Sequence, residues 1–232
     1  MAQQMLKYTR EQPDIWKTIL ARREEITRNF VSSQDRPLKR LVLIGSGSSF
    51  TASRTAAEIL MRLTKVEVTV AEPTRLDALL THLGEGTVFC ACSQSGRSTS
   101  TLEAVRAIQK AGFRVTAVTA NPYSSLAKAC DGHVTVECGE ELVGPKTKGM
   151  TGSALTLTLM GAELALAKGL MDAGAYEKAI EGFSRSFNLA AENIERCVSW
   201  CGEHPEMAQA PHMIVVADGM ALPAALEGAL KV

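Results

Sequence analysis

Between residues 38 and 136, short apolar runs alternate with stretches whose apolar residues recur at helical spacing, and this alternation constrains the fold more than any other feature of the chain. The runs lie near 40–45, 66–70, 87–92, 113–119 and 133–136, and the helical stretches near 50–63, 74–82, 99–111 and 123–130. Runs this short and apolar read as strands covered on both faces. Strand and helix in turn build βαβ units, which lay parallel strands side by side with helices over both faces of the sheet. The predicted fold is α/β, a five-stranded parallel doubly wound sheet in the flavodoxin-like order 2-1-3-4-5. In that order the first and third strands are neighbours. The loops leaving their carboxyl ends then meet at the switch point where such folds bind ligands.

Those two loops share a design. Leu41-Val42-Leu43-Ile44 runs into Gly45-Ser46-Gly47-Ser48-Ser49 and then into a helical pattern carried by Ala52, Ala56, Ile59, Leu60 and Leu63. Thr87-Val88-Phe89-Cys90-Ala91-Cys92 runs into Ser93-Gln94-Ser95-Gly96-Arg97-Ser98-Thr99-Ser100, five hydroxyls around one glycine, before a second helical pattern. The first amides of a helix have no partner inside it, and the helix dipole favours an anion there by roughly 0.3–1 kcal/mol. A single serine would mark only an N-cap. This density of hydroxyls points to an anion such as phosphate. A dinucleotide fingerprint would need glycine at position 50, where the chain has Phe50; Glu72 could imitate its ribose ligand, but a lone G-x-G is weak.

Composition narrows the function classes. With 232 residues, 46% of them hydrophobic, the chain can fill one large domain or one domain and part of another. Its 25 basic and 25 acidic residues cancel, so it carries no electrostatic footprint for nucleic acid or an acidic membrane surface. The six cysteines have neither zinc-finger spacing nor the density of a secreted scaffold and read as reduced core residues. Cys197 and Cys201 stand one helical turn apart without a histidine at matching spacing, so no metal site is expected. Residues 1–7 lack the apolar stretch of a signal peptide, which predicts a cytoplasmic protein. The most apolar stretch, 154–170, is interrupted by Glu163 and Lys168 and reads as a core helix.

Outside the sheet, residues 13–30 predict an amphipathic helix with Pro13 in its first turn, part of an amino-terminal arm over 1–35. Helices near 151–169 and 176–202 follow the sheet, the second serving as a connector within 171–210. Residues 212–217 then predict a strand, 218–220 a turn and 223 onward a helix, the opening unit of a second domain over 211–232. Ending there, the chain is expected to be a fragment or only part of a longer protein; otherwise the strand at 213–217 would be an unpaired edge.

Five segments taken in order resemble a known family: Glu11-Gln12-Pro13-Asp14-Ile15 with Thr18-Ile19-Leu20, the loop Gly45 to Ser49, Ser93-Gln94-Ser95-Gly96, the run from Gly139 to Lys148, and Ala225-Leu226-Glu227-Gly228-Ala229-Leu230-Lys231. Together they resemble the isomerase half of the glucosamine-6-phosphate synthase family. The resemblance implies a sugar isomerase (SIS) domain over 36–170, the phosphosugar-binding fold of aminosugar-phosphate isomerases, deaminases and sugar-amino-acid deglycases, and the start of a second SIS domain after 210. It implies Ser49, Ser93, Gln94, Ser95 and Ser98 as phosphate ligands, and Ser46, Gly47, Ser48, Gly144 and Lys146 as the sugar lining. Arg97 replaces an acidic residue of the family and Lys146 a serine, which adds two positive charges; Lys146 could meet a substrate carboxylate.

Glu227 and Lys231 match an acid and a lysine of the family's second domain and are the catalytic candidates. The family's base glutamate falls one turn beyond Lys231, past Val232. A partner-subunit histidine and a terminal lysine of the family pattern have no counterpart here, and His82, His133, His204 and His212 lie outside the matching motifs. The implied chemistry is a proton shuttle alpha to a carbonyl or imine, with a carboxylate as base and no metal or nucleotide cofactor. If the proton moves within these residues, Glu227 and Lys148 are the first candidates; otherwise binding with poor turnover is expected. Entry into the pattern soon after Met1-Ala2 favours deamination or deglycation over glutamine-dependent synthesis. The reading is a phosphosugar-binding isomerase or deaminase, a homodimer or higher homo-oligomer with a sugar phosphate ligand and no nucleic acid or membrane partner. The alternatives are a non-catalytic sugar-phosphate-sensing regulatory module and a nucleotide-dependent oxidoreductase.

Overall fold

The computed structural model describes residues 2–144 and 146–231, with Ala2 and Asp77 described by backbone alone; Pro145 of the sugar-facing run and Val232 at the expected break lie outside the described residues. Five parallel strands form one sheet: β1 (Arg40–Ile44), β2 (Glu67–Ala71), β3 (Thr87–Cys92), β4 (Val115–Thr119) and β5 (Gly132–Thr135). Their order is β2-β1-β3-β4-β5, as the alternation predicts. Ile44 is in register with both Ala71 and Ala91, so β1 and β3 end side by side.

Side chains of successive residues leave a strand on opposite faces, and the core divides accordingly. Leu41, Leu43, Cys90, Cys92 and Val118 pack on one face, while Val42, Ile44, Phe89, Ala91 and Ala117 pack on the other. The first face is covered by α3 (Ser48–Leu63) and α7 (Lys148–Ala167), the second by α4 (Leu76–Leu80), α5 (Thr99–Lys110) and α6 (Ser125–Ala129). Helices α3 and α7 touch closely because Gly161 has no side chain: a Cβ there would stand 2.5 Å from Leu60 Cδ1. Helix α7 is long and apolar enough to cross a membrane, but 78% of its most apolar window is buried in this fold, where it is the central core helix.

The amino-terminal arm differs from expectation. It forms two helices, α1 (Ala2–Ala21) and α2 (Arg23–Ser32), and Pro13 sits inside α1 instead of opening it. An internal proline removes one helical hydrogen bond and costs about 3 kcal/mol. Packing of Tyr8, Ile19 and Leu20, all buried, offsets that cost.

Helix α8 (Ala173–Glu203) leaves the sheet after the N-cap Asp172, whose side chain accepts from the amide of Ala175 at 3.0 Å. The strand expected over 212–217 does not form. Residues 212–218 have no regular structure, and Ile214 and Val216 are each 87% exposed. An apolar alternating run becomes a strand only where a neighbouring backbone completes its ladder, and the sheet ends at β5 and β2 far along the chain. The helix expected after it does form, as α9 (Leu222–Lys231), and packs on α3.

Candidate functional site

Both hydroxyl-rich loops emerge at the joined ends of β1 and β3. After β1 the chain turns through Gly45, where a Cβ would stand 2.7 Å from the Ser49 carbonyl, and Gly47, at φ +54°, into the first turn of α3. Ser46 and Gly47 are exposed, Ser48 and Ser49 half-buried. After β3, Gly96 turns at φ +65° against Ser124, where a Cβ would come within 2.1 Å of Ser124 Oγ. The turn is pinned from both sides: the Gly96 amide donates to the Ser93 carbonyl at 2.9 Å, and the Leu126 amide to the Gly96 carbonyl at 3.0 Å. Ser98 is the N-cap of α5, accepting from the hydroxyl of Thr101 at 2.9 Å.

The ligand residues suggested by the sequence fall around this junction. Ser93 is buried at the end of β3, Gln94 and Ser98 are half-buried, and Ser95 faces solvent. Beneath them lies the Cys92 thiol, pushed up to about 11 by burial. Arg97 is exposed. The junction brings hydroxyls and the first-turn amides of two helices to the adjacent ends of β1 and β3, an arrangement suited to the several acceptor oxygens of a phosphate.

The loop between β5 and α7 borders Gln94. Lys146 lies half-buried within this loop. Its ammonium donates to the carbonyls of Glu141 and Val143, each at 2.9 Å, and so closes its own loop. Gly144 is exposed beside it. The organising residue is one that sequence reasoning missed: Glu141, buried, accepts from the amide and hydroxyl of Thr147, both at 2.6 Å, and from the amide of Gly149 at 3.0 Å. A carboxylate a few residues ahead of a helix start is the signal that could have found it. Gly149 lets α7 lie against Gln94, whose Cγ would be 2.7 Å from a Cβ at that position.

The two catalytic candidates are brought to the site but spent on each other and on α3. Glu227, 7% exposed, accepts from Ser48 Oγ at 2.7 Å, from the Thr51 hydroxyl and from the Lys231 ammonium. In this arrangement the carboxylate fastens α9 to the first turn of α3. Lys148, the other candidate, is buried in an ion pair with Glu11 at 2.7 Å. Among the described residues no cluster of histidine, cysteine or carboxylate side chains could hold a metal ion.

Comparison with known proteins agrees with this geometry. A family model described as the SIS domain matches residues 36–167. The chain is similar to the glutamine--fructose-6-phosphate aminotransferase [isomerizing] of Pyrobaculum aerophilum, 29% identical over 230 residues that are 98% of this chain and 37% of that protein. It is also similar to the protein of the same name from Thermococcus kodakarensis, 27% identical over 98% of this chain and 38% of that one. It thus spans just over a third of the length of these curated relatives. Among solved structures, the C-terminal domain of glucosamine-fructose-6-phosphate aminotransferase from Francisella tularensis superposes with a TM-score of 0.84 at 24% identity, over 98% of this chain and 66% of that one. A glucosamine-6-phosphate deaminase from Thermotoga maritima gives 0.72 at 22% identity, with the same coverage of each.

Proposed function

The chain belongs to the SIS domain family, and from that premise we propose that it binds a sugar 6-phosphate at the joined ends of β1 and β3 and serves an aldose–ketose isomerase, deaminase or deglycase acting on an amino-sugar phosphate. The observation that carries this reading is the pair of hydroxyl-bearing loops, each at a helix start, leaving adjacent parallel strands. Ser49, Ser93, Gln94, Ser95 and Ser98 take the phosphate. Ser46, Gly47 and Ser48, with the backbone near Gly144, face the sugar. The names of the relatives, aminotransferases of fructose 6-phosphate, support the amino-sugar class.

The reaction itself is a proton transfer alpha to a carbonyl or imine, which a carboxylate or lysine performs when it reaches the carbon-bound proton. Glu227 has its oxygens engaged by Ser48, Thr51 and Lys231. That engagement favours a second reading in which these residues alone sense a sugar phosphate without turning it over. A cytoplasmic location and a homodimer complete the proposal; the free thiols of Cys90, Cys92 and Cys138 in the core suit a reducing compartment. The experiment incubates the chain with glucosamine 6-phosphate and follows fructose 6-phosphate and ammonia while binding is measured on the same sample. Turnover supports the enzyme, binding without turnover supports the sensor, and absence of both refutes the site.

A further inference from the structure

We infer that Lys148, held by Glu11 of the amino-terminal helix, is a positioning residue for the loop between β5 and α7, so that α1 is part of the machinery shaping the sugar-phosphate site; the inference rests on the reading of that site given above. Lys148 is the first residue of α7, and only 7% of its side chain is exposed. A lysine is rarely buried without a partner, and a cation in the first turn of a helix faces the unfavourable end of the dipole. Two groups from α1 compensate. Glu11 Oε2 lies 2.7 Å from the ammonium, and the Tyr8 ring lies beneath it at 4.5 Å from its centroid.

These contacts do not stop at Lys148. Tyr8 also accepts, through its hydroxyl, the Leu142 amide at 3.2 Å, so one side chain of α1 touches both the middle of the loop and the residue where α7 begins. Inside the loop, Glu141 ties itself to Thr147 and Gly149, the residues on either side of Lys148. Gly149 in turn sets how closely Gln94 approaches α7. Trp16 and Gln12 repeat the attachment one turn along, bonding Thr151 at 2.9 and 2.7 Å. A continuous series of packed and hydrogen-bonded groups therefore runs from α1 through the loop to a phosphate ligand. Moving Glu11 away leaves a buried ammonium unpaired, and the loop must shift to bring it to water.

The test is a double-mutant cycle on Glu11→Gln and Lys148→Met, with Tyr8→Phe as a variant that removes a single hydroxyl. Calorimetric titration with fructose 6-phosphate is paired with amide hydrogen exchange on the free protein. Glu11→Gln is expected to weaken binding about fivefold to twentyfold, with the double variant recovering part of the loss because no charge is left unpaired. Exchange is expected to quicken at residues 139–144 and 146–149 and to stay unchanged in β1, β3 and β4. Tyr8→Phe should quicken exchange at Leu142. Unchanged exchange in that loop, or quickening spread evenly over the sheet, overturns the inference. Should the unaltered protein bind no sugar phosphate, the site reading fails, and the exchange pattern still decides whether Glu11 and Lys148 fix the loop.

Discussion

Glu227 and Ser48 lie 179 residues apart and share a 2.7 Å hydrogen bond, which joins the last helix of the chain to the loop that follows its first strand. The same carboxylate pairs with Lys231, and both side chains are largely buried, at 9% and 19% exposure. Removing one partner of such a pair leaves a charge without compensation and costs about 3–5 kcal/mol. Glu227→Ala is therefore expected to lower unfolding stability by about 3 kcal/mol. Ser48→Ala, which deletes one bond to a charged acceptor, should cost about 1.5 kcal/mol or more. Denaturant titration of the two variants checks the order; equal and negligible losses would show that α9 is not fastened here.

Gly96 offers a separate check on the loop of β3. At φ +65°, and with only 2.1 Å between the place of a Cβ and Ser124 Oγ, it leaves no room for alanine. Gly96→Ala should cost at least about 1–3 kcal/mol from backbone strain and displace Ser95 and Ser98 together. Thermal unfolding measures the first effect and sugar-phosphate titration the second. Retention of full affinity in this variant would separate the loop from the site.

The buried thiols predict how stability changes with pH. Burial raises Cys90, holds Cys92 near about 11 and Cys130 near about 12, against an ordinary 9.0. A thiol raised in the folded state keeps its proton there while the unfolded chain loses its own, so its contribution is complete below pH 9 and declines above it. Melting temperature should hold steady from pH 7 to about 8.5 and fall increasingly between pH 9 and 11. Cys92→Ser is expected to flatten that fall. A melting temperature independent of pH across the range would contradict the burial of these groups.

The sheet was readable because its signals are local. Each strand is a short apolar run closed by a turn, and 2-1-3-4-5 is a common order for such runs in a doubly wound sheet. The two ligand loops were readable for the same reason, since glycine and serine at a strand end carry their meaning in a few residues. What depends on distant partners was not. Pro13 reads as a helix start until the apolar face of α1 meets α7, and 212–217 reads as a strand although, among the described residues, no strand pairs with it. Lys146 and Lys148 show the limit most clearly. Two residues apart at the entry to α7, one closes its own backbone while the other crosses to Glu11, 137 residues away. Only the packed structure separates those fates.

The most direct measurement is the dissociation constant of fructose 6-phosphate beside that of unphosphorylated fructose, for the unaltered chain and for Ser95→Ala. Hydrogen bonds to a charged group contribute about 1.5–3 kcal/mol each, so the variant should bind the phosphate ester roughly tenfold to a hundredfold more weakly. Fructose should bind poorly to both proteins. Equal affinity for the two sugars, or an affinity for fructose 6-phosphate that Ser95→Ala leaves unchanged, would contradict a phosphate cradle at the ends of β1 and β3.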